Sequence, residues 1–338
     1  MRQPLDQLVD ELREARGIGH KQDIRATTAL LAVAGDIAIR NGDDCAAILQ
    51  ADGSHLLLAI EGFINEFVDA QPWFAGWCGV MVNLSDIAAM GGRPLAVVDA
   101  LWSRGAEYEK PILQGLAAAA QTYGVPIVGG HTNSRNARGE QLAVSILGRA
   151  TTLLTSFDAH PGDRLIAAID LRGAYHEPYN YWDAATRGAP AERLRGDLEL
   201  LPEIAEAGLC RAAKDISMAG LVGTALMLLE CSGLGAALDV SAVPRPTGVP
   251  LGRWLQTFPS FGFLLAAPPA QVDELRQRFE CRDIACAEVG ICDDSRLLKL
   301  TDETGNVMPF RDLESEPLMG FCNRALDSRC DIVEIVDA

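Results

Sequence analysis

Acidic residues set in apolar surroundings are the part of this sequence best suited to chemistry. In Asn83-Leu84-Ser85-Asp86-Ile87-Ala88-Ala89-Met90-Gly91-Gly92, Ala88, Ala89 and Met90 favour helix, and the glycine pair with Pro94 stops it. Asn83 and Asp86 are three apart, so they share a helix face. A carboxylate in so apolar a helix needs a partner or a metal. Asn83 could orient that acid, hydrogen-bond a nucleotide, or cap the helix. Upstream, Gly42-Asp43-Asp44-Cys45-Ala46-Ala47 puts two acids just before a strand-like apolar run. Adjacent strand residues point to opposite faces, so one of the pair, Asp44 by preference, would face a metal. The alternative there is an Asx-turn. Together the two elements suit a divalent cation that carries a phosphate.

Further candidates lie along the chain. Glu61 ends the apolar run Leu56 to Ile60, as a metal ligand or a solvated strand-end acid. Gly129-Gly130 follows an apolar strand and would let backbone N–H groups approach a phosphate, flanked by His131 and Thr132. Asp215, with Ser217 close by, opens Lys214-Asp215-Ile216-Ser217-Met218-Ala219-Gly220-Leu221, as a metal or substrate contact or a helix cap. Arg16 to Lys21 reads as a flexible glycine loop. Lys21 on it is either a movable point charge for a phosphate or a solvated lysine. Tyr175 to Asp183 concentrates aromatics in a chain that is 6% aromatic. Tyr179, Tyr181 and Trp182 form a stacking platform for a ring-bearing substrate, or a packed lid or dimer contact. His176-Glu177 is no H-E-x-x-H zinc site, because position 180 is Asn, and the chain has no G-x-x-x-x-G-K-[ST] phosphate loop.

The elements that must position these residues alternate between strand and helix. Residues 4–16 read as an amphipathic helix, with Leu5, Leu8, Val9 and Leu12 on one stripe. Strands are expected at 36–39, 45–50 and 55–60, the last two joined by an Asp52-Gly53 turn. A helix at 74–90, a strand at 95–101, a helix at 110–123 and strands at 126–128 and 141–150 follow. His160-Pro161-Gly162-Asp163 punctuates the chain. Beyond it come strands at 165–170, 261–267 and 286–291 and helices at 198–207, 221–231 and 269–279. The class is α/β or α+β, with domains at 1–155 and 156–300 and a polar peripheral tail at 301–338.

Composition narrows the function. A chain of 338 residues supports two domains. A formal net charge of -17 argues against a nucleic-acid partner but not against a phosphate held through metal ions. The nine cysteines form no disulfide or zinc pattern and read as buried thiols in a reducing compartment. The first 16 residues carry both charge signs, unlike a signal peptide, and no apolar run is long enough to span a bilayer. A cytoplasmic location is expected.

Four elements thus stand in order: G-D-D-C-A-A at 42–47, N-L-S-D-I-A-A-M-G-G at 83–92, V-G-G-H-T at 128–132 and K-D-I-S-M-A-G-L at 214–221. This series resembles the aminoimidazole ribonucleotide (AIR) synthetase superfamily over roughly residues 17–300. Members include thiamine-monophosphate kinase, selenide water dikinase, a hydrogenase-maturation dehydratase and phosphoribosylformylglycinamidine synthase. The resemblance implies two α/β domains. Mixed N-terminal sheets of two chains would pair into a barrel-like homodimer core, beside a C-terminal α/β sandwich. It implies ATP near that interface, its phosphates held through Mg²⁺ by Asp43, Asp44, Glu61, Asp86 and Asp215. Asn83, Gly129, Gly130, His131 and Thr132 would contact the nucleotide. Asp86, Lys21 and Asp215 would be catalytic, and an unidentified small-molecule acceptor would lie on the second domain.

The chain also departs from these relatives. Glu61 stands where many members have an aspartate, and Met218-Ala219-Gly220 replaces the kinase's second acid in the fourth element. His131 stands where the kinase has an aspartate, and Ile18 and His20 lie where the selenide enzyme carries its nucleophile. The implied activity is ATP- and Mg²⁺-dependent phosphotransfer or activation of a small-molecule oxygen, like thiamine-monophosphate kinase but with a divergent substrate. The alternatives are a non-catalytic nucleotide-binding dimeric subunit, a selenide water dikinase-like protein without the nucleophilic Cys, and a dimeric scaffold without ATP.

Overall fold

A computed structural model describes residues 3–30, 42–135, 137–259 and 261–320. The strand expected at 36–39 lies outside them. Three helices open the chain: α1 (Leu5–Arg13), α2 (Arg16–Gln22) and α3 (Ile24–Leu30). The first domain follows as β1 (Ala46–Leu49), β2 (His55–Gly62), α4 (Asn65–Ala70), α5 (Pro72–Ala89), β3 (Arg93–Trp102), α6 (Ala106–Tyr123), β4 (Ile127–Asn133) and β5 (Gln141–Ala150). The second comprises β6 (Arg164–Ile169), β7 (Ala174–Tyr175), β8 (Trp182–Asp183), α7 (Ala191–Glu206), β9 (Ala212–Asp215), α8 (Gly220–Ser232), β10 (Gly235–Asp239), α9 (Leu251–Leu255), β11 (Gly262–Ala267), α10 (Val272–Glu280), β12 (Ala285–Asp293), β13 (Leu297–Thr301) and β14 (Val307–Asp312).

The first sheet runs β1-β2-β5-β3-β4. Its β1–β2 hairpin turns at Asp52-Gly53, where Gly53 takes a φ of 84° that glycine adopts freely. β3 and β4 are parallel, and α6 makes the crossover between them. One face, with Leu57, Ala59, Val97, Val144 and Ile146, is buried under α5. The opposite face leaves Leu58, Ile60, Val98, Val128 and Leu147 exposed. α5 is buried from Phe74 to Ala89 because sheet, α6, α7 and β9 surround it, and its sequence is accordingly apolar all round.

The second sheet runs β14-β13-β10-β12-β6-β11-β9. Its strands alternate between two cores, as the two-residue strand period requires. Leu165, Ala167 and Ile169 of β6 pack with α8, while Ile166 and Ala168 pack with α7 and α10. α1 buries its predicted stripe against this second domain, and Arg13 Nε donates to the Phe310 carbonyl at 3.2 Å.

Three local expectations are corrected. Arg16 to Lys21 is not a loop but lies in α2, because Gly17 lets the helix seat on another element, as described below. The strand begun at Pro126–Val128 continues through Gly129-Gly130-His131-Thr132 as β4, held by parallel pairing to β3. Residues from 301 onward do not all form a peripheral tail. Val307–Asp312 adds the edge strand β14, and Leu313, Leu318 and Met319 are buried. The Glu230 carboxylate accepts the Met319 N–H at 3.0 Å and also the Leu318 N–H. Of the cysteines among the described residues, Cys45, Cys78, Cys210, Cys231, Cys286 and Cys292 are buried free thiols, and Cys281 is exposed. No helix among the described residues is long and apolar enough to cross a membrane.

Candidate metal and nucleotide site

Three elements deliver three carboxylates to one point between the domains. Asp86 comes from the C-terminal end of α5, Asp215 from the end of β9, and Asp44 from the turn before β1. Each can place one oxygen so that all three lie within 4.8 Å of one another. Lys214 Nζ ion-pairs with Asp44 Oδ1, both side chains almost wholly buried. The Asp215 N–H faces Asp44 Oδ2 at 3.4 Å. Asp86 Oδ2 is buried without a hydrogen-bond partner.

Asp43 also borders the cavity above the acids, and its Oδ1 accepts the Asp44 N–H at 3.0 Å. Its carboxylate accepts the Ser156 N–H at 2.7 Å and the Ser156 hydroxyl at 2.6 Å, tying the site turn to the start of the second domain. Glu61 shares the side of β2 that carries Leu57 and Ala59, and it lines the cavity over the acids. Asn83 lies inside α5 and donates from Nδ2 to the Gly79 carbonyl at 2.8 Å. It is therefore not an N-cap, and it does not line the cavity above the acids.

The electrostatics show why a cation suits this place. Burial, reinforced by Asp215, Glu61 and Asp44, pushes the Asp86 carboxyl well above the usual range. Burial also raises Asp43, to about 6, with Asp44 adding to the rise while Lys214 and the Ser156 hydrogen bonds oppose it. Enclosure raises Glu61 against the pull of Lys21. Burial would depress Lys214, but Asp44 and Asp43 outweigh it and hold the ammonium protonated. The ligand set is all oxygen, and one buried carboxylate oxygen is unpartnered. That donor set fits a hard divalent cation such as Mg²⁺ on Asp44, Asp86 and Asp215.

A cavity of about 390 Å³ opens over the three acids. Lys21 and Glu61 stand on its wall with Ser217 and Met319, and Phe63, Ile64, Phe67 and Phe258 give it an apolar side. Lys21 reaches it because α2 is seated on the turn at 217–220. A second cavity, about 270 Å³, adjoins the first and shares Ile64, Met218 and Phe258 with it. Arg16, Tyr179, Asn180, Tyr181 and Gln256 line it. The Tyr179 and Tyr181 rings stack with centroids 5.0 Å apart. Trp182 belongs elsewhere. It packs edge-on against Trp254 at 5.0 Å, its Nε1–H donates to the Asp170 carbonyl, and it lines neither cavity.

Gly129, Gly130, His131 and Thr132 are not brought to the acids within the chain. They are exposed in edge strand β4, separated from β2 by β5 and β3, and line neither cavity. Gly130 has a packing reason instead, since a Cβ there would stand 2.5 Å from Asp99 Oδ1. The functional group that sequence reasoning missed is Lys214. Its signal was a lysine inside the apolar strand Ala212-Ala213-Lys214-Asp215, where an unpaired charge is costly.

Comparisons with known proteins agree with this architecture. Residues 42–150 match the model of the AIR synthase related protein N-terminal domain, and residues 181–303 match that of its C-terminal domain. The chain belongs to the AIR synthase related family. The protein sll0787 of Synechocystis sp. is 46% identical over 323 residues, covering 94% of this chain and 98% of its own length. A thiamine-monophosphate kinase of Synechococcus elongatus is 29% identical over 241 residues, covering 65% of this chain and 73% of its own length. Among solved structures, Thermotoga maritima PurL complexed with ATP superposes with a TM-score of 0.68 at 19% identity. That match covers 82% of this chain but only 46% of PurL, so it speaks for the fold.

Proposed function

We propose that this chain is an ATP- and Mg²⁺-dependent enzyme that phosphorylates, or activates with ATP, an oxygen of a small molecule. In this reading it resembles thiamine-monophosphate kinase but takes a divergent acceptor. The convergence of Asp44, Asp86 and Asp215 beneath a 390 Å³ cavity carries the proposal. ATP-handling relatives in the family support it.

The cation would be held by Asp44, Asp86 and Asp215; when bound, Mg²⁺ neutralises charge on phosphate oxygens during transfer. The protein's own groups supply the rest. Lys21, on the cavity wall, can approach a transferring phosphate as a point charge. The phenylalanine wall gives one side of the cavity a low-dielectric lining, which strengthens charge interactions beside it. Tyr179 and Tyr181 offer the adjoining cavity a stacked aromatic edge for a ring-bearing acceptor.

The proposed assembly is a cytoplasmic homodimer formed through the exposed apolar face of the first sheet. Leu58, Ile60, Val98, Val128 and Leu147 are large apolar side chains exposed on that sheet, the kind of surface that marks an interaction site. Thermal stability with ATP, with and without Mg²⁺, tests the site. Metal-dependent stabilisation is expected for the wild type and absent from Asp86→Asn. No shift in the wild type would sink the reading, and phosphate acceptors would follow only a positive result.

A further inference from the structure

Lys214 enters the acid site where a solvent ion would be expected. It is the penultimate residue of β9, its side chain is 5% exposed, and its ammonium touches Asp44 Oδ1. The other Asp44 oxygen faces the Asp215 N–H at 3.4 Å, so both of its oxygens already meet donors. Asp86 differs, since its Oδ2 is buried and has no partner.

We infer that the Lys214 ammonium is a tethered cation taking the place of one divalent ion, so that each chain loads one metal ion fewer than its carboxylates could otherwise hold. The inference rests on the magnesium and nucleotide reading above. One divalent ion seated between Asp86 and Asp215, together with the ammonium, balances the three carboxylate charges. A second divalent ion beside the lysine would compete with the ammonium for Asp44. A lysine is a compact point charge that can do an ion's electrostatic work without exchanging into solvent. Asp44 is in this account shared: one oxygen stays with the ammonium, and the other can still join Asp86 and Asp215 around the single exchangeable ion.

Counting bound Mn²⁺ by electron paramagnetic resonance, with a non-hydrolysable ATP analogue present, tests this. Lys214→Met, which keeps the stem and removes the charge, is expected to bind one more Mn²⁺ per chain than the wild type. Lys214→Arg, and Lys214→Met combined with Asp44→Asn, should both keep the wild-type number. An unchanged count in Lys214→Met overturns the inference. Melting in graded Mn²⁺ gives a second reading even if that variant is poorly folded. The ion should raise its melting temperature by more than it raises the wild type's, and an equal or smaller rise overturns the inference. A wild type that binds no Mn²⁺ overturns the magnesium reading itself. A wild type that binds it while Lys214→Met binds the same number overturns only the role of Lys214.

Discussion

Gly17 of α2 lies so close to the Met218 carbonyl that a methyl group on it would stand 2.2 Å from that oxygen. The first glycine of Arg16-Gly17-Ile18-Gly19 is thus a contact point. It lets α2 rest on the turn that opens α8, and that seating carries Lys21 to the cavity.

Gly17→Ala should therefore weaken both fold and site. Overpacking of this kind costs about 1–3 kcal/mol, to be read from urea denaturation. Because α2 must lift to relieve it, affinity for ATP should fall as well. Gly19→Ala is the control, since nothing lies within 4 Å of a Cβ there. Its stability should match or exceed the wild type.

Asp86→Asn should separate function from folding. Asp86 is a buried acid whose charge is opposed by burial and by neighbouring acids. Neutralising it should leave metal-free stability within about 1 kcal/mol of the wild type, or raise it, as replacement of poorly compensated buried charge often does. The same substitution should abolish Mg²⁺-dependent ATP turnover. Wild-type turnover in the variant would remove Asp86 from the mechanism.

The proposed dimer is open to a simple disruption. Leu58 and Leu147 are cross-strand partners on the exposed face of β2 and β5. Leu58→Glu with Leu147→Glu sets like charges opposite each other and should yield a monomer by light scattering after gel filtration. A wild type that is already monomeric at micromolar concentration would refute the assembly.

The two tyrosines of the adjoining cavity should behave differently. Tyr181 is buried, with its ring centroid 4.4 Å from that of Phe67, so Tyr181→Ala should cost about 3–5 kcal/mol of stability, as aromatic core truncations do. Tyr179 is less buried. Tyr179→Ala should leave folding and ATP binding nearly unchanged and raise KM for the acceptor several-fold.

Acid stability should report one half-buried ion pair, Arg104–Glu140, away from the site. Burial favours the neutral form of Glu140, but hydrogen bonds from the Arg104 side chain and backbone N–H outweigh it and hold the carboxyl down at about 2. Its pKa is thus lower folded than unfolded, so the pair's contribution is present above pH 4.5 and is lost as pH falls toward 2. Glu140→Gln should lower stability at neutral pH and flatten this acid limb, as measured by denaturation between pH 2 and 5.

Local sequence carried much of this structure, for identifiable reasons. The α1 stripe, the Asp52-Gly53 hairpin and the strand at 141–150 are set by period and turn chemistry within a few residues. The family was legible because its acids lie in short motifs. The helix at 16–22 was not, since two glycines argue against helix unless a distant carbonyl requires one of them. Gly129-Gly130 lies in a paired strand beside Asp99, a neighbour that strand pairing supplies and local sequence does not display. Lys214 was overlooked because its partner lies 170 residues away. Trp182 could not be told from Tyr179 by composition alone, since packing depends on which core receives each ring.

The placement of Met319 on the wall of the acid cavity has a consequence for biosynthesis. Lys21, made among the first residues, and Met319, made near the end of the described chain, meet around the same space. The first domain can acquire its own core while the second is still in the ribosome, as domains commonly do. The cavity cannot be completed then, because β9 and the segment held by Glu230 have yet to emerge. A nascent chain halted before residue 212 should thus carry a folded first domain but an open acid cavity that still lacks Lys214 and Asp215.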